Sequence, residues 1–386
     1  MDRRTFLTAA VGAFGAATLS GHANAAASNR RTLVLVELAG GNDGLNTVIP
    51  FDDPAYAAAR PRIAINRDQA LHLDHRLGLH PALEPLMAGW KSRDLAVIRG
   101  VGYDRPNRSH FRSIDIWETA SDSNQVLKDG WIARILKDQK RDARSVADAV
   151  VLGGKSSRIV AGDGIKAVSM TNPERFVRQA RGLKPLHQRS ENPALAHILS
   201  VQSQIDRAAY RLGEIAARTP EVRGRFQGRL GRQLRVAARL ILAEARIPVI
   251  KVSLGGFDTH ANQPGRHRNL MRQLGTNMAS FRDALKQGGA WERTLVMTYS
   301  EFGRRVRQNG SGGTDHGTAA PHLMLGGRVR GGLYGAQPSL TNLDAGDMRY
   351  AVDYRRSYAT AAQEWLQVSS AQTVFGAHRP LGIIRG

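Results

Sequence analysis

Four short segments of the chain combine carboxylates, imidazoles and small residues. They are Asp43 in AGGNDG, Asp258 with His260 in GGFDTH, Glu301 in SEFG, and Asp315 with His316 in TDHG. Carboxylate oxygens and imidazole nitrogens together suit a divalent cation: Zn, Mn, Fe, or Mg where oxygens dominate. The chain has no cysteine, which excludes thiolate zinc sites, iron–sulfur clusters, cysteine nucleophiles and a disulfide scaffold. Taken singly, each segment is weak, because a loop carboxylate is most often a cap or a solvated charge. Their convergence is what would make a site. Ser109 reads equally well as a helix cap and as a nucleophile, and a free serine hydroxyl needs activation for the second role. Arg108, Arg112 and Arg304 are candidates to clamp an oxyanion with their forked donors. His110 is an alternative ligand, although a helix-start role is the commoner one for such a residue.

The elements around these residues explain how they could converge. Residues 32–38 (TLVLVEL), 95–100 (LAVIRG), 149–153 (AVVLG), 247–254 (IPVIKVSL), 294–299 (TLVMTY) and 322–325 (HLML) are apolar runs expected to form buried strands. Helical patterns lie between them, at 110–120, 268–286 and 357–368, with two longer helices across 192–246 broken near Thr219-Pro220. Trp117 and Trp365 fall on core-facing positions. Strands alternating with helices predict an α/β fold, a three-layer α/β/α domain with a mainly parallel central sheet. In such sheets ligands bind outside the carboxyl ends of the strands, and Asp43, Asp258, His260 and Glu301 all follow strand ends.

Composition bounds the rest. At 386 residues and roughly 150 per domain, the chain has room for one large domain. Our reading is a single domain over 30–386 with a helical insertion near 192–246. Lys and Arg total 55 against 33 Asp and Glu, a net charge of +22, which favours an anionic small-molecule or polymer substrate. Nucleic acid is not expected, since aromatics are only 6% and no basic stripe with stacking rings is present. Residues 1–25 read as a signal peptide: Arg3-Arg4 before Phe6-Leu7, an Ala/Gly-rich apolar run, then Ala23-Asn24-Ala25 as a cleavage site. The paired arginines predict export to the periplasm by the twin-arginine machinery. The run is too short and glycine-rich for a span of about 20 residues, so no transmembrane segment is expected in the mature protein.

The blocks LVLVELAGGNDGLNTVIP, RSHFRSIDIWETA, GGFDTHANQ, TYSEFGRRVRQNGSGGTDHGTA and YRRSYATAAQEWL resemble a family of exported bacterial proteins catalogued as domain of unknown function 1501. A more distant resemblance is to the alkaline phosphatase and sulfatase superfamily of metal-dependent enzymes. That resemblance implies an alkaline phosphatase-like domain with Asp43 as the ligand after the first strand and Ser109 at the nucleophile position. It also implies Asp258, His260, Glu301 and His316 as ligands, with Asp315 beside them. An alternative alignment sets Asp315-His316-Gly317 against the superfamily's Asp-His-Gly, but no strand precedes it. Phe302 stands where the family pattern has a histidine, so one imidazole of a two-metal site is missing. Two functions remain open at this point. One is an exported metal-dependent hydrolase of phosphate or sulfate esters. The other is a non-catalytic cell-envelope binding or assembly protein that keeps a partial metal site.

Overall fold

Each apolar run expected to be a strand is one in the computed structural model. The structure describes residues 31–139, 145–154, 157–171 and 221–386 without a break, and scattered positions between 142 and 219. The segment read as a signal peptide, and most of the first long helix expected after 192, lie outside the described residues.

Nine strands form the central sheet: β1 Thr32–Ala39, β2 Leu95–Gly102, β3 Ala149–Leu152, β4 Ala167–Met170, β5 Val249–Gly255, β6 Thr294–Tyr299, β7 Ala320–Gly326, β8 Gly332–Tyr334 and β9 Val352–Asp353. Their order is β8-β2-β7-β6-β1-β5-β3-β4, with β9 also on β2. β1 lies at the centre, parallel to β5 on one side and β6 on the other. Of the nine, only β7 runs against the rest, antiparallel to both β6 and β2. That inversion matters for the site. A parallel β7 would begin at the opposite edge, whereas the inverted strand begins where β6 ends. The loop between them, with Asp315 and His316, therefore stays at the edge where β1, β2, β5 and β6 finish.

Side chains alternate across the sheet as the pleat requires. From β1, Val34, Val36 and Leu38 enter one apolar cluster and Leu33 and Leu35 the other. The first cluster is covered by Gly228–Leu242 and Gln263–Gln287, the second by His110–Thr119, Trp131–Leu136 and the segment from Tyr354 to Phe375. With the short helix Pro54–Ala59 as α1, and leaving the single turn Met87–Lys91 unlabelled, four further helices are α2 (His110–Thr119), α3 (Trp131–Leu136), α4 (Gly228–Leu242) and α5 (Gln263–Gln287). Helices on both faces make the three-layer α/β/α arrangement, and α4 belongs to one of those layers. Trp117 and Trp365 are buried, as expected. The closing helix begins at Tyr354, three residues earlier than its pattern suggested, and changes to a wider π turn over Thr360–Trp365. No helix among the described residues is long and apolar enough to cross a membrane.

Candidate metal centre

The site is assembled where β1, β2, β5 and β6 end. After β1 the chain turns through Gly40 and Gly41, at φ +117° and +71°, a region that disfavours side chains. A Cβ on Gly40 would sit 2.5 Å from the Asp258 amide, and one on Gly41 would strike the Phe302 ring. The two glycines let the loops after β1, β5 and β6 close on one another. Arg304 ties the same three loops and is fully buried. Its Nε donates to Gly41 O at 2.6 Å and its Nη1 to Thr314 O at 2.8 Å. Its Nη2 donates to the carbonyls of Gly40 and Phe257 and to Asp258 Oδ1 at 2.7 Å.

Three imidazoles meet at Asp258. His260 Nε2 lies 3.0 Å and His316 Nε2 3.1 Å from Asp258 Oδ1, and His110 Nε2 lies 3.6 Å from Oδ2. His260 Nε2 and His316 Nε2 are 3.0 Å apart. One ligand atom each from His110, Asp258 and His316 falls within 4.8 Å of the others.

The other ring nitrogens decide what these contacts mean. His110 Nδ1 donates to Glu301 Oε1 at 2.8 Å, His260 Nδ1 to Asp315 Oδ1 at 3.1 Å, and His316 Nδ1 to Arg108 O at 2.8 Å. With each Nδ1 facing an acceptor, the three Nε2 atoms all face one carboxylate. At these distances positive charge, either a proton on Nε2 or a bound cation, lies between ring and carboxylate. Histidine ligands with Nδ1–H held by a carboxylate or carbonyl are the recurrent outer arrangement of metal sites, so these residues fit a bound divalent cation.

The charges agree. Burial alone would raise Asp258, but its hydrogen bonds from Arg304 and His316 and the Arg304 charge hold it at about 2. The Glu301 hydrogen bond raises His110 against its partial burial. Burial lowers His316, against its bonds to Asp258 and the Arg108 carbonyl. Asp315 is lowered chiefly by its hydrogen bond from Asn309, with burial opposing and His260 assisting.

Each residue singled out by the sequence has a definite place. Asp258, His260 and His316 come together. Glu301 and Asp315 stand behind the rings of His110 and His260, and Glu301 Oε1 also accepts the Gly40 amide at 2.8 Å. Asp43 is turned away into the core, fully buried, with Oδ2 2.6 Å from Arg60 Nη1 and also bonded to Gln263. Its Oδ1 caps the turn at the Leu45 amide. Arg304 spends its donors on protein acceptors, which leaves none to clamp an oxyanion. Arg112 is committed to Asp115 and to the carbonyls of Ser123 and Gln125. Arg108 is half-exposed, with Nη1 3.0 Å from Asp347. Ser109 is exposed at the N-cap of α2, next to His110, and makes no capping bond through its side chain.

The sequence undervalued His110. Position 302 indeed lacks an imidazole, and α2 supplies one beside it: the His110 ring lies 4.9 Å from the Phe302 ring, and His316 4.6 Å from it on its own contact. Phe302 thus packs the two rings. Arg60, Gln263 and His267, which surround Asp43, carried no signal: Arg60 ends the short α1, and Gln263 and His267 lie in the first turns of α5, ahead of residue 268 where the pattern placed the helix start.

A family model described as "Protein of unknown function (DUF1501)" matches residues 64–353. The chain belongs to this family. No curated protein matches the DUF1501 chain. Among solved structures it is similar to the phosphonate monoester hydrolase SpPMH from Silicibacter pomeroyi, at 10% identity and TM-score 0.43, over 91% of this chain and 76% of that one. It is similar to the soluble domain of lipooligosaccharide phosphoethanolamine transferase A from Neisseria meningitidis, at 9% and 0.40, over 92% and 94%. A protein in the alkaline phosphatase superfamily from Vibrio parahaemolyticus is similar at 9% and 0.31, over 79% and 62%.

Proposed function

We propose that this DUF1501 protein is an exported, metal-dependent hydrolase of phosphate or sulfate esters, with one divalent cation held by His110, Asp258, His260 and His316. The observation that carries the reading is the set of three Nε2 atoms facing Asp258, each ring fixed by an acceptor at Nδ1. Three nitrogens and one carboxylate favour Zn, Fe or Mn over Mg. A stoichiometry of one follows from Asp43, whose charge is answered by the Arg60 guanidinium and needs no second cation. Export rests on the Arg3-Arg4 segment and its cleavage motif.

A divalent cation in this position would neutralise charge developing on an ester oxygen and acidify a neighbouring hydroxyl. The chain's own residues prepare that chemistry. Arg304 fixes Asp258 and keeps it ionised. Glu301, Asp315 and the Arg108 carbonyl lock three ring orientations, so little reorganises during reaction. Ser109, beside His110 with an unbonded side chain at a helix start, is our candidate nucleophile. Arg108, paired with Asp347 but half-exposed, has surface to offer an oxyanion.

The test is a screen of phosphomonoesters, phosphodiesters and sulfate esters with metal-replete protein, repeated with Ser109→Ala. Turnover lost by at least a hundredfold in Ser109→Ala, with metal content unchanged, supports the reading. Turnover equal to wild type removes Ser109 from the mechanism, and no turnover of any ester class removes the hydrolase. One observation favours the second reading, a metal-bearing envelope protein that binds without turnover: two of the three expected oxyanion arginines, Arg112 and Arg304, are committed elsewhere.

A further inference from the structure

An open cleft of about 530 Å³ lies against the metal centre, within the usual range of about 300–1,000 Å³ for small-molecule sites. Phe302 forms part of its wall, and the same ring packs on His110 and His316. Arg108 also lines the cleft, and its carbonyl accepts from His316 Nδ1 at 2.8 Å. Residues 108, 109 and 110 therefore lead from the cleft, through the candidate nucleophile, to a candidate ligand. An ester with its phosphorus or sulfur at Ser109 has room for its alcohol part on the Arg108 side.

The lining differs in charge from the chain as a whole. Its charged residues are Asp104, Asp344 and Asp347 against Arg105, Arg108 and Arg349, three of each sign in a chain with 55 cationic and 33 anionic side chains. Asp344 and Asp347 stand directly opposite each other in the hairpin of Leu343–Asp344 and Asp347–Met348, a juxtaposition of like charges that costs stability. Asp347 is buried and answered by Arg108 Nη1 at 3.0 Å and Arg305 Nε at 3.9 Å. Asp344 is exposed and has no cationic partner among the described residues. Tyr350, 42% exposed, brings an aromatic ring to the same cleft. An alkyl or acyl chain here would strip water from charged groups and return no hydrogen bonds. A second charge of either sign would meet three like charges. A hydroxyl both donates and accepts, so an uncharged polyol suits carboxylates and guanidiniums alike, and its C–H face suits the apolar body of the Tyr350 ring.

We infer that this cleft is the alcohol subsite of the metal centre and that the ester it takes is one of a sugar or similar polyol. Asp344 and Tyr350 are the residues that select it, Asp344 by accepting from a hydroxyl and Tyr350 by covering a C–H face. The inference rests on the hydrolase reading above and names the substrate class of that same site.

Calorimetric titration of the metal-replete Ser109→Ala protein tests it, with glucose 6-phosphate, glucose 6-sulfate, hexyl phosphate, phosphoethanolamine and inorganic phosphate as probes. The expected result is saturable binding of at least one glucose ester, tenfold or more tighter than the other three probes, with the tighter glucose ester identifying the oxyanion. Asp344→Asn/Tyr350→Ala, at two exposed positions, weakens that ester at least fivefold and inorganic phosphate less than twofold. Arg223→Ala/Arg225→Ala, at two exposed arginines outside the cleft, changes both less than twofold. Hexyl phosphate, phosphoethanolamine or inorganic phosphate binding as tightly as either glucose ester would overturn the inference. So would no binding of either glucose ester, or an equal loss of ester and inorganic phosphate in Asp344→Asn/Tyr350→Ala. Selective binding of a glucose ester that the wild type does not turn over removes the hydrolase and keeps the subsite. Turnover of hexyl phosphate in preference to the glucose esters keeps the hydrolase and removes the subsite.

Discussion

Asp43→Asn separates a structural carboxylate from a ligand. Asp43 and Arg60 are both fully buried and meet at 2.6 Å. Asparagine keeps the size and most of the hydrogen bonding but removes the charge opposite the guanidinium. Breaking a buried ion pair from one side costs about 3–5 kcal/mol. Arg60 would retain neutral acceptors in Asn46 Oδ1 at 2.8 Å and in the carbonyls of Val306 and Arg305, both at 2.9 Å. The lower end is therefore expected, about 3 kcal/mol at pH 7. Burial would raise the Asp43 pKa, but the charge and hydrogen bond of Arg60 hold it below the ordinary value. A carboxylate depressed in the folded state contributes stability above its unfolded pKa, near 3.9, and loses it as pH falls through the folded value. The deficit of the variant should thus be full at pH 7 and shrink below about pH 4. Urea unfolding gives the stability, and metal analysis of the same preparations should show unchanged content. Wild-type stability with lost metal would refute the reasoning and return Asp43 to the ligand set.

Lys251→Met should cost about 3–5 kcal/mol at pH 7.5, because Lys251 Nζ lies 2.6 Å from Glu118 and 3.2 Å from Glu37 inside the sheet–helix layer. Burial already raises Glu37 against the pull of Lys251. A raised carboxylate favours the fold at low pH and loses that contribution as pH rises through its folded value, so the deficit should shrink toward pH 5; a pH-independent deficit in urea unfolding would contradict this. His322 is pushed by burial to about 3 and its Nε2 has no partner. Its folded pKa is below the unfolded value near 6.5, so stability present above that pH is lost on acidification toward 3, at up to about 1.4 kcal/mol per pH unit. His322→Phe should therefore gain about 2 kcal/mol on wild type between pH 7 and pH 5, and parallel stability–pH curves for the two proteins would rule it out.

The strands were legible because buried runs such as TLVLVEL and TLVMTY have few other conformations open to them, and their ends placed Asp258, His260 and Glu301 at a common edge. The direction of β7 was not legible: HLML carries no mark of orientation, yet its inversion is what keeps His316 at that edge. The role of His110 was hidden for a related reason. At a helix start the local roles, cap and first-turn residue, account for a histidine fully, and only the path of β2 into α2 brings its ring against Phe302. Asp43 misled because a carboxylate after a strand looks the same whether it faces a cation or an arginine. Arg60 answers it from 17 residues along the chain, at the end of a short helix with no periodic signal. Arg304 was read as an anion clamp because a guanidinium's five donors suit an oxyanion as well as they suit the backbone carbonyls it binds here.

The most direct measurement is elemental analysis of the folded protein beside Asp258→Ala/His260→Ala and Asp43→Asn. The account predicts about one equivalent of Zn, Fe or Mn, lost in the double variant and kept in Asp43→Asn. No metal in wild type under replete conditions would contradict the central claim, and two equivalents with one lost in Asp43→Asn would contradict the ligand set.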